Sequence, residues 1–294
     1  MRRAFNVNIE PYTDMDIELT QKIDSLKAYL ERMGPTLVAF SGGVDSSFLL
    51  TVASQVLRND VIALMTVSPS TPPHDEQQAI ELVKRLKVEL LRIQHNELDI
   101  SEYAANPINR CYFCKSSLYE ICQREAKRLT LDSIADGINL DDLTDYRPGL
   151  QSAKEYNVRH PLVEAGLTKA DIRQASRLLG LSTWDKPASP CLSSRIPYGT
   201  HITATMLSHI AQAEAFLYTL GIAQVRVRYD GRSARIEIGS EALKRVASQE
   251  SLQKIGAKLK SLGIPLVTLD LEGYRSGVFN IGLKAAPVST KPFA

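Results

Sequence analysis

The chain has almost no net charge: 35 Lys and Arg stand against 33 Asp and Glu, a balance of +2 over 294 residues. A protein held to nucleic acid or to a membrane by bulk charge would be more basic, so neither partner is expected. Long apolar runs are missing too. Stretches such as VIALM (61–65) are far too short to span a bilayer. The opening MRRAFNVNIEPYTDMD has two arginines but no apolar core behind them, so it does not read as a secretory signal. Four cysteines are too few for a disulfide framework at this length. They are expected in a reducing, cytoplasmic setting, where clustered thiols point to metal or redox chemistry. There is no internal repeat or low-complexity tract, and 44% apolar with 23% charged residues excludes a disordered or fibrous chain.

What is present is an alternation of strands and helices. Residues 17–33 have helical apolar spacing, and TLVAF (36–40) reads as a buried strand. A helix follows SGGVDSS. Strands are expected at 61–67, 88–94 and 133–137, with helices at 74–86 and 111–129 between them. This predicts an α/β fold, a parallel sheet with helices on both faces. After Gly137 the regularity weakens, and DDLTDYRPG and WDKPASPCLSSRIPYGT read as long functional loops. From about residue 202 the order becomes helix (203–220), two strands joined near Asp230-Gly231, helix (241–261) and strand (264–271). The expected division is therefore a larger domain over 1–200 and a small α+β domain over 201–294, ending in an untethered tail.

The strongest motif is Phe40-Ser41-Gly42-Gly43-Val44-Asp45-Ser46-Ser47, set between a strand and a helix. The glycines allow a tight turn, exposed N–H groups and the helix N-terminus favour an anion, and three serines add hydroxyl donors. Asp45 repels phosphate and makes sense as a ligand to Mg²⁺ bridging it. The alternative is a capped Gly-Gly turn, but the whole string in its strand–loop–helix setting favours phosphate. No GKS or GKT is present, so it is not a Walker A loop. It resembles the SGGxDS loop of the ATP pyrophosphatases. That resemblance implies MgATP and attack of a substrate oxygen on the α-phosphorus, giving an adenylated substrate and pyrophosphate. Adenine is then expected at the carboxyl ends of the first strands, around Ala39, Phe40, Met65 and Thr66, with Gly137 closing the other side.

Cys111 and Cys114 form a C-x-x-C pair, and Cys191 stands alone in ASPCLSSRIPYG. From the residues alone, zinc, a redox dithiol, a three-thiolate iron–sulfur cluster and plain reduced thiols all remain open. Zinc has no obvious fourth ligand, since His160 and His201 are isolated. Cys122, among Leu118 and Ile121, reads as a small buried hydrophobe.

NRCYFCKSSLY (109–119), DGINLDDLTDYRPG (136–149) and PASPCLSSRIPYG (187–199), with the phosphate loop, resemble the LarE family from about Leu19 to Leu283. The resemblance implies ATP-dependent sulfur insertion into pyridinium-3,5-biscarboxylic acid mononucleotide, in the making of the nickel-pincer nucleotide. It implies carboxylate adenylation, then displacement of AMP by sulfur. Members with only the cysteine equivalent to Cys191 give up its sulfur. Those with the pair as well hold a [4Fe-4S] cluster through three cysteines. This chain resembles the latter, which makes Cys111, Cys114 and Cys191 the expected cluster ligands and Asp45 and Cys191 the expected catalytic residues. The family also implies a homo-oligomer, as large as a hexamer built from dimers.

A phosphorylated dicarboxylate needs cations, and arginine forks suit it. Arg226 and Arg228 lie two apart on one face of a strand, a solvated face being the alternative. The family has phosphate-binding arginines on the matching strand. Arg195, Glu214 and Glu237 are further substrate candidates, although a single carboxylate is more often merely solvated. Asp142, Asp145 and Arg147 are read as ordering their loop, and Trp184 and Lys186 as loop packing. Three other functions remain in view. A tRNA thiolase lacks support from a basic stripe. An amide synthetase leaves the cysteines unexplained. A nucleotide-binding redox regulator would bind ATP without adenylating an acid.

Overall fold

The computed structural model describes residues 16–275, apart from 145–146, 188–189, 223 and 247. The first part of the chain runs α1 (Ile17–Met33), β1 (Thr36–Ala39), α2 (Val44–Leu57), β2 (Val61–Val67), α3 (Pro73–Leu86), β3 (Glu89–Gln94), α4 (Ser101–Ala104), α5 (Arg110–Arg128) and β4 (Ser133–Ala135). Three helices follow: α6 (Gly149–Glu155), α7 (Pro161–Glu164) and α8 (Lys169–Leu178). The four strands form a parallel sheet in the order β3-β2-β1-β4.

Successive side chains on a strand point to opposite faces, so each strand feeds two cores. Val38, Phe40, Ala63 and Met65 pack with Leu26, Leu30, Phe48, Leu82 and Ile172, under α1, α2, α3 and α8. Leu37, Ala39 and Leu64 pack with Tyr119, Cys122, Ala126 and Ala153, under α5 and α6. Burial on both faces is why TLVA and VIALM are nearly unbroken apolar runs. The α/β reading is therefore observed. Helix α8 lies in the stretch after Gly137 where the sequence has no regular pattern. Thr168 and Asp171 close a capping box at its start, a local signal that offsets the weak apolar pattern.

The strand order reverses between β1 and β4. Ligands of open α/β sheets bind at such a point, beyond the carboxyl ends of the strands. Both the loop after β1 and the Asp136-Gly137 turn after β4 open there.

The rest of the chain is α9 (Ala204–Thr219), β5 (Val225–Tyr229), β6 (Ser233–Ile238), α10 (Ser240–Val246), α11 (Gln249–Ser261) and β7 (Leu266–Leu269). The small sheet is ordered β5-β6-β7, antiparallel then parallel. The hairpin turns at Gly231, whose φ of +95° suits glycine. The single helix expected over 241–261 is two helices, because the Ser248 side chain accepts from Ser251 N and starts a new one. The core of this part, with Leu207, Ile210, Val225, Val227, Ile236 and Leu259, also takes in Tyr103, Leu192 and Ile196. Apolar packing thus ties the Cys191 segment to the C-terminal sheet. No helix among the described residues is long and apolar enough to cross a membrane.

Candidate active site

The loop after β1 is shaped by short contacts. Gly42 has φ +69°, and a Cβ there would stand 2.7 Å from the Cβ of Ala79 on α3. Ser41 N donates to Ser46 Oγ at 3.3 Å, and Ser46 Oγ lies 3.4 Å from the Gly43 carbonyl. The loop curls over the start of α2, as an anion site requires. Ser47 is fully buried, and its Oγ has no partner among the described residues. Ala39, Phe40 and Met65 are buried in the two cores, so mainly their main chain faces a nucleotide. Thr66 is half-buried.

Asp45, in the first turn of α2, is held from outside its own loop. Asn139 Nδ2 donates to one oxygen at 3.2 Å, and Lys169 Nζ pairs with the other. Asn139 N in turn donates to Asp142, which pairs with Arg147 at 2.7 Å, so those two residues order the loop as expected. Asp145 lies outside the described residues. The turn before this loop is pinned by buried Asp136, which accepts from Tyr119 Oη at 2.6 Å and meets His160 Nδ1 at 2.7 Å. Burial alone would raise the Asp136 carboxyl, but the His160 contact outweighs it and holds the group below the usual range. Gly137 lies against the phosphate loop: a Cβ there would stand 2.7 Å from Ser46 N. Gly137→Ala is therefore expected to push the loop away from its position and raise the KM for ATP about tenfold or more, while strands and helices persist. ATP titration beside circular dichroism checks this, and an unchanged KM would refute it.

Lys186 does more than pack its loop. Its ammonium pairs with Asp75 Oδ1 at 3.0 Å and donates to the Gly42 carbonyl at 3.3 Å. A few residues on, Leu192 N donates to Ser70 O at 2.8 Å, beyond β2. Tyr103 Oη and Ser193 Oγ share a 2.6 Å hydrogen bond. The segment bearing Cys191 is thereby fixed to the phosphate loop and to the ends of the strands.

Cys111 and Cys114 occupy the first turn of α5, and Cys191 caps the short turn Leu192–Arg195. All four cysteines are free thiols. The surrounding protein and then the charge of Cys191 push both Cys111 and Cys114 upward, so the three sulfurs lie within electrostatic reach of one another. Cys122 is fully buried among apolar side chains, and burial pushes its thiol up to about 12. As the side chains stand, no group of three or more His, Cys, Asp or Glu among the described residues closes on a metal ion. Thiols are nonetheless donors of the kind that iron–sulfur clusters take. Cys111, Cys114 and Cys191 are reduced thiols, and Glu97, 6% exposed, has an Oε2 without a partner among the described residues and helps push Cys114 upward. Thiolates that hold separate irons need not crowd as ligands of a single ion do.

The candidate substrate residues are brought together, yet mostly on one another. Arg195, 1% exposed, donates from Nε and Nη2 to both oxygens of Glu214 at 2.9 Å, and from Nη1 to the carbonyls of Pro190 and Cys191. Arg228 donates to Glu237 at 3.0 Å and to the Ser194 carbonyl at 2.8 Å, and Arg235 takes the other Glu237 oxygen. Glu214 and Glu237 are buried, so surface solvation explains neither. Arg226 is 4% exposed and stacks over Tyr274; burial, then the charge of Arg195, lowers its pKa. Arg226 is thus a buried cation and Arg228 a half-buried, paired one, rather than a solvated face. Glu214 also accepts from Val227 N at 3.0 Å. Glu214→Ala leaves a buried guanidinium unpaired and is expected to cost about 3–5 kcal/mol of stability. Denaturant unfolding measures it, and a loss below about 1 kcal/mol would contradict a structural pair.

Asn139 and Arg110 stood inside DGINLDDLTDYRPG and NRCYFCKSSLY without a role of their own, and Lys169 outside any motif, because their contacts cross 83 to 124 residues. The NAD synthase family profile matches residues 18–110, a stretch that holds the phosphate loop and ends just before Cys111. An uncharacterized protein of Synechocystis sp. is 44% identical over 262 residues, covering 89% of this chain and 98% of the relative. The pyridinium-3,5-bisthiocarboxylic acid mononucleotide synthase of Lactiplantibacillus plantarum is 34% identical over 273 residues, covering 92% of this chain and 98% of that enzyme. An uncharacterized protein of Methanocaldococcus jannaschii is 30% identical over 240 residues, covering 82% and 90% of the two chains. Similarity of this extent runs through the phosphate loop, the cysteine segments and the small sheet alike, and the chain belongs to the LarE family of PP-loop, ATP-dependent enzymes.

Proposed function

We propose that the chain converts carboxylates of pyridinium-3,5-biscarboxylic acid mononucleotide to thiocarboxylates at the expense of ATP. The observation that carries this reading is one segment: at Lys186 it touches the phosphate loop, and at Cys191 it presents a thiol beside Cys111 and Cys114. A segment with these two ends would bring adenylation and sulfur chemistry together. The printed name of the Lactiplantibacillus relative supports the choice of substrate.

The loop amides and the start of α2 receive the pyrophosphate part of MgATP, and Asp45 faces the metal that arrives with it. A substrate carboxylate oxygen attacks the α-phosphorus, the bond to the bridging oxygen breaks, and pyrophosphate leaves. A sulfide-level sulfur, HS⁻, then attacks the acyl carbon, the bond to the AMP oxygen breaks, AMP and a proton leave, and a thiocarboxylate remains. Arg226 and Arg228 lie on the wall nearest the Cys191 turn and would receive the substrate's anionic groups by rearranging their present contacts. Cys111, Cys114 and Cys191 would hold a [4Fe-4S] cluster, which when bound supplies a replaceable sulfur in place of a consumed cysteine. The chain is further proposed to work as a homo-oligomer.

Incubation with MgATP and the pyridinium nucleotide, after anaerobic reconstitution, tests the reading. The expected product has exchanged oxygen for sulfur, with one AMP and one pyrophosphate released per exchange. Pyrophosphate release without that exchange would overturn the sulfur reading, and iron-free protein after reconstitution would overturn the cluster.

A further inference from the structure

Asp136 follows the last residue of β4 and is 2% exposed. Three donors meet its carboxylate. Tyr119 Oη, from α5, donates to Oδ2 at 2.6 Å, while His160 Nδ1 at 2.7 Å and Ile138 N at 3.2 Å meet Oδ1. Facing an ionised carboxylate, Nδ1 of His160 carries the proton. The main chain repeats the link to His160's segment: Ala135 bridges Arg159 in parallel, and Asp136 N donates to the Arg159 carbonyl at 3.1 Å. A carboxylate buried this deeply depends on its donors, and each one removed leaves it short of a partner.

The residues just after Asp136 are those that meet the phosphate loop. Gly137 lies so close that a Cβ would stand 2.7 Å from Ser46 N, and Asn139 Nδ2 donates to Asp45 at 3.2 Å. Neither contact holds the turn firmly by itself. Gly137 has no side chain to anchor, and the Asn139 bond is only partly buried. The shortest side-chain contacts on residues 136–139, among those described, are the two that Tyr119 and His160 make with Asp136. Tyr119 is fully buried and His160 nearly so, and neither takes a part in the steps set out above.

We propose that His160 and Tyr119 are positioning residues for ATP: by holding the Asp136 carboxylate from two sides, they keep Gly137 against the phosphate loop and Asn139 on Asp45. The consequence falls on affinity. A turn that loses one of its two holds is away from the loop part of the time, and ATP binds only the fraction that remains in place. The proposal rests on the phosphate-loop reading above and is independent of the sulfur chemistry.

The test measures MgATP binding to the full chain by isothermal titration, with Tm recorded for every variant. His160→Leu is expected to weaken MgATP about tenfold, as a turn in place about one-tenth of the time would. His160→Asn should bind within about twofold of wild type, because its Nδ2 stands where Nδ1 stood and still donates. His160→Gln carries the same amide one bond further out and should stay weak. Lost packing alone would not be repaired by Asn, so this order reads a hydrogen bond at one atom. Tyr119→Phe keeps the ring and removes the other donor; it should also weaken MgATP severalfold, and it decides the matter should His160→Leu fold poorly. Unchanged affinity in the folded variant would overturn the proposal, as would His160→Asn binding no better than His160→Gln. Wild-type protein that binds no MgATP would instead strike the phosphate-loop reading, and the proposal with it.

Discussion

Cys191→Ser should leave ATP-dependent pyrophosphate release near normal while cutting sulfur transfer by a factor of about a thousand or more. Serine keeps the shape of the side chain, so the turn Leu192–Arg195 and its anchors at Ser70, Tyr103 and Arg110 stay in place. What disappears is a polarizable sulfur able to attack an acyl adenylate or bind iron. Adenylation depends on the phosphate loop, which Cys191 does not enter. Two assays on one sample decide it, pyrophosphate release and the mass of the nucleotide product. A product that still gains sulfur at a normal rate would mean that Cys191 is not part of the transfer. Loss of both activities would indicate that the segment had lost its anchors, and a fall in Tm would accompany it.

Asp45→Asn should have the opposite profile. The amide can still meet Asn139, but it carries no charge for Lys169 or for the metal that accompanies ATP. Pyrophosphate release should fall about a hundred- to a thousandfold, because stabilisation of the developing charge on the phosphates is lost. Stability should change by less than about 1 kcal/mol, since the Asp45–Lys169 pair is partly solvated, with Lys169 37% exposed. Steady-state release with the pyridinium nucleotide, beside denaturant unfolding, measures both quantities. Normal release in this variant would end the assignment of Asp45 to the reaction.

Much of this was visible in the chain itself, for reasons of locality. The strand at 61–67 was read to the residue because a strand buried on both faces must be apolar throughout. The phosphate loop was legible because an anion site made of main-chain amides needs small residues in an unbroken string. The C-x-x-C pair sits one helical turn apart, a spacing that sequence records directly. Local signals were also missed. Thr168 and Asp171 announce α8, and Ser248 announces α11, yet each competes with weak apolar patterning around it. Lys186 was read as packing, since a lone lysine in a loop is usually solvated.

The sequence by itself determined an α/β protein with a phosphate loop, a C-x-x-C pair and buried-strand periodicity, because each depends on residues a few positions apart. Only the tertiary structure decided who meets whom. Strand order β3-β2-β1-β4 sets the loop beside Gly137, Asn139 and Lys169. Packing of Leu192 and Ile196 into the C-terminal core, with the Arg110 bond to the Ser193 carbonyl, sets the Cys191 turn against the start of α5. Arg195, Glu214, Arg228 and Glu237 satisfy one another as they leave water. These partners lie from nine to 124 residues apart. A buried charge takes whatever opposite charge the fold delivers, and that choice is made by the approach of whole elements rather than by any stretch of sequence.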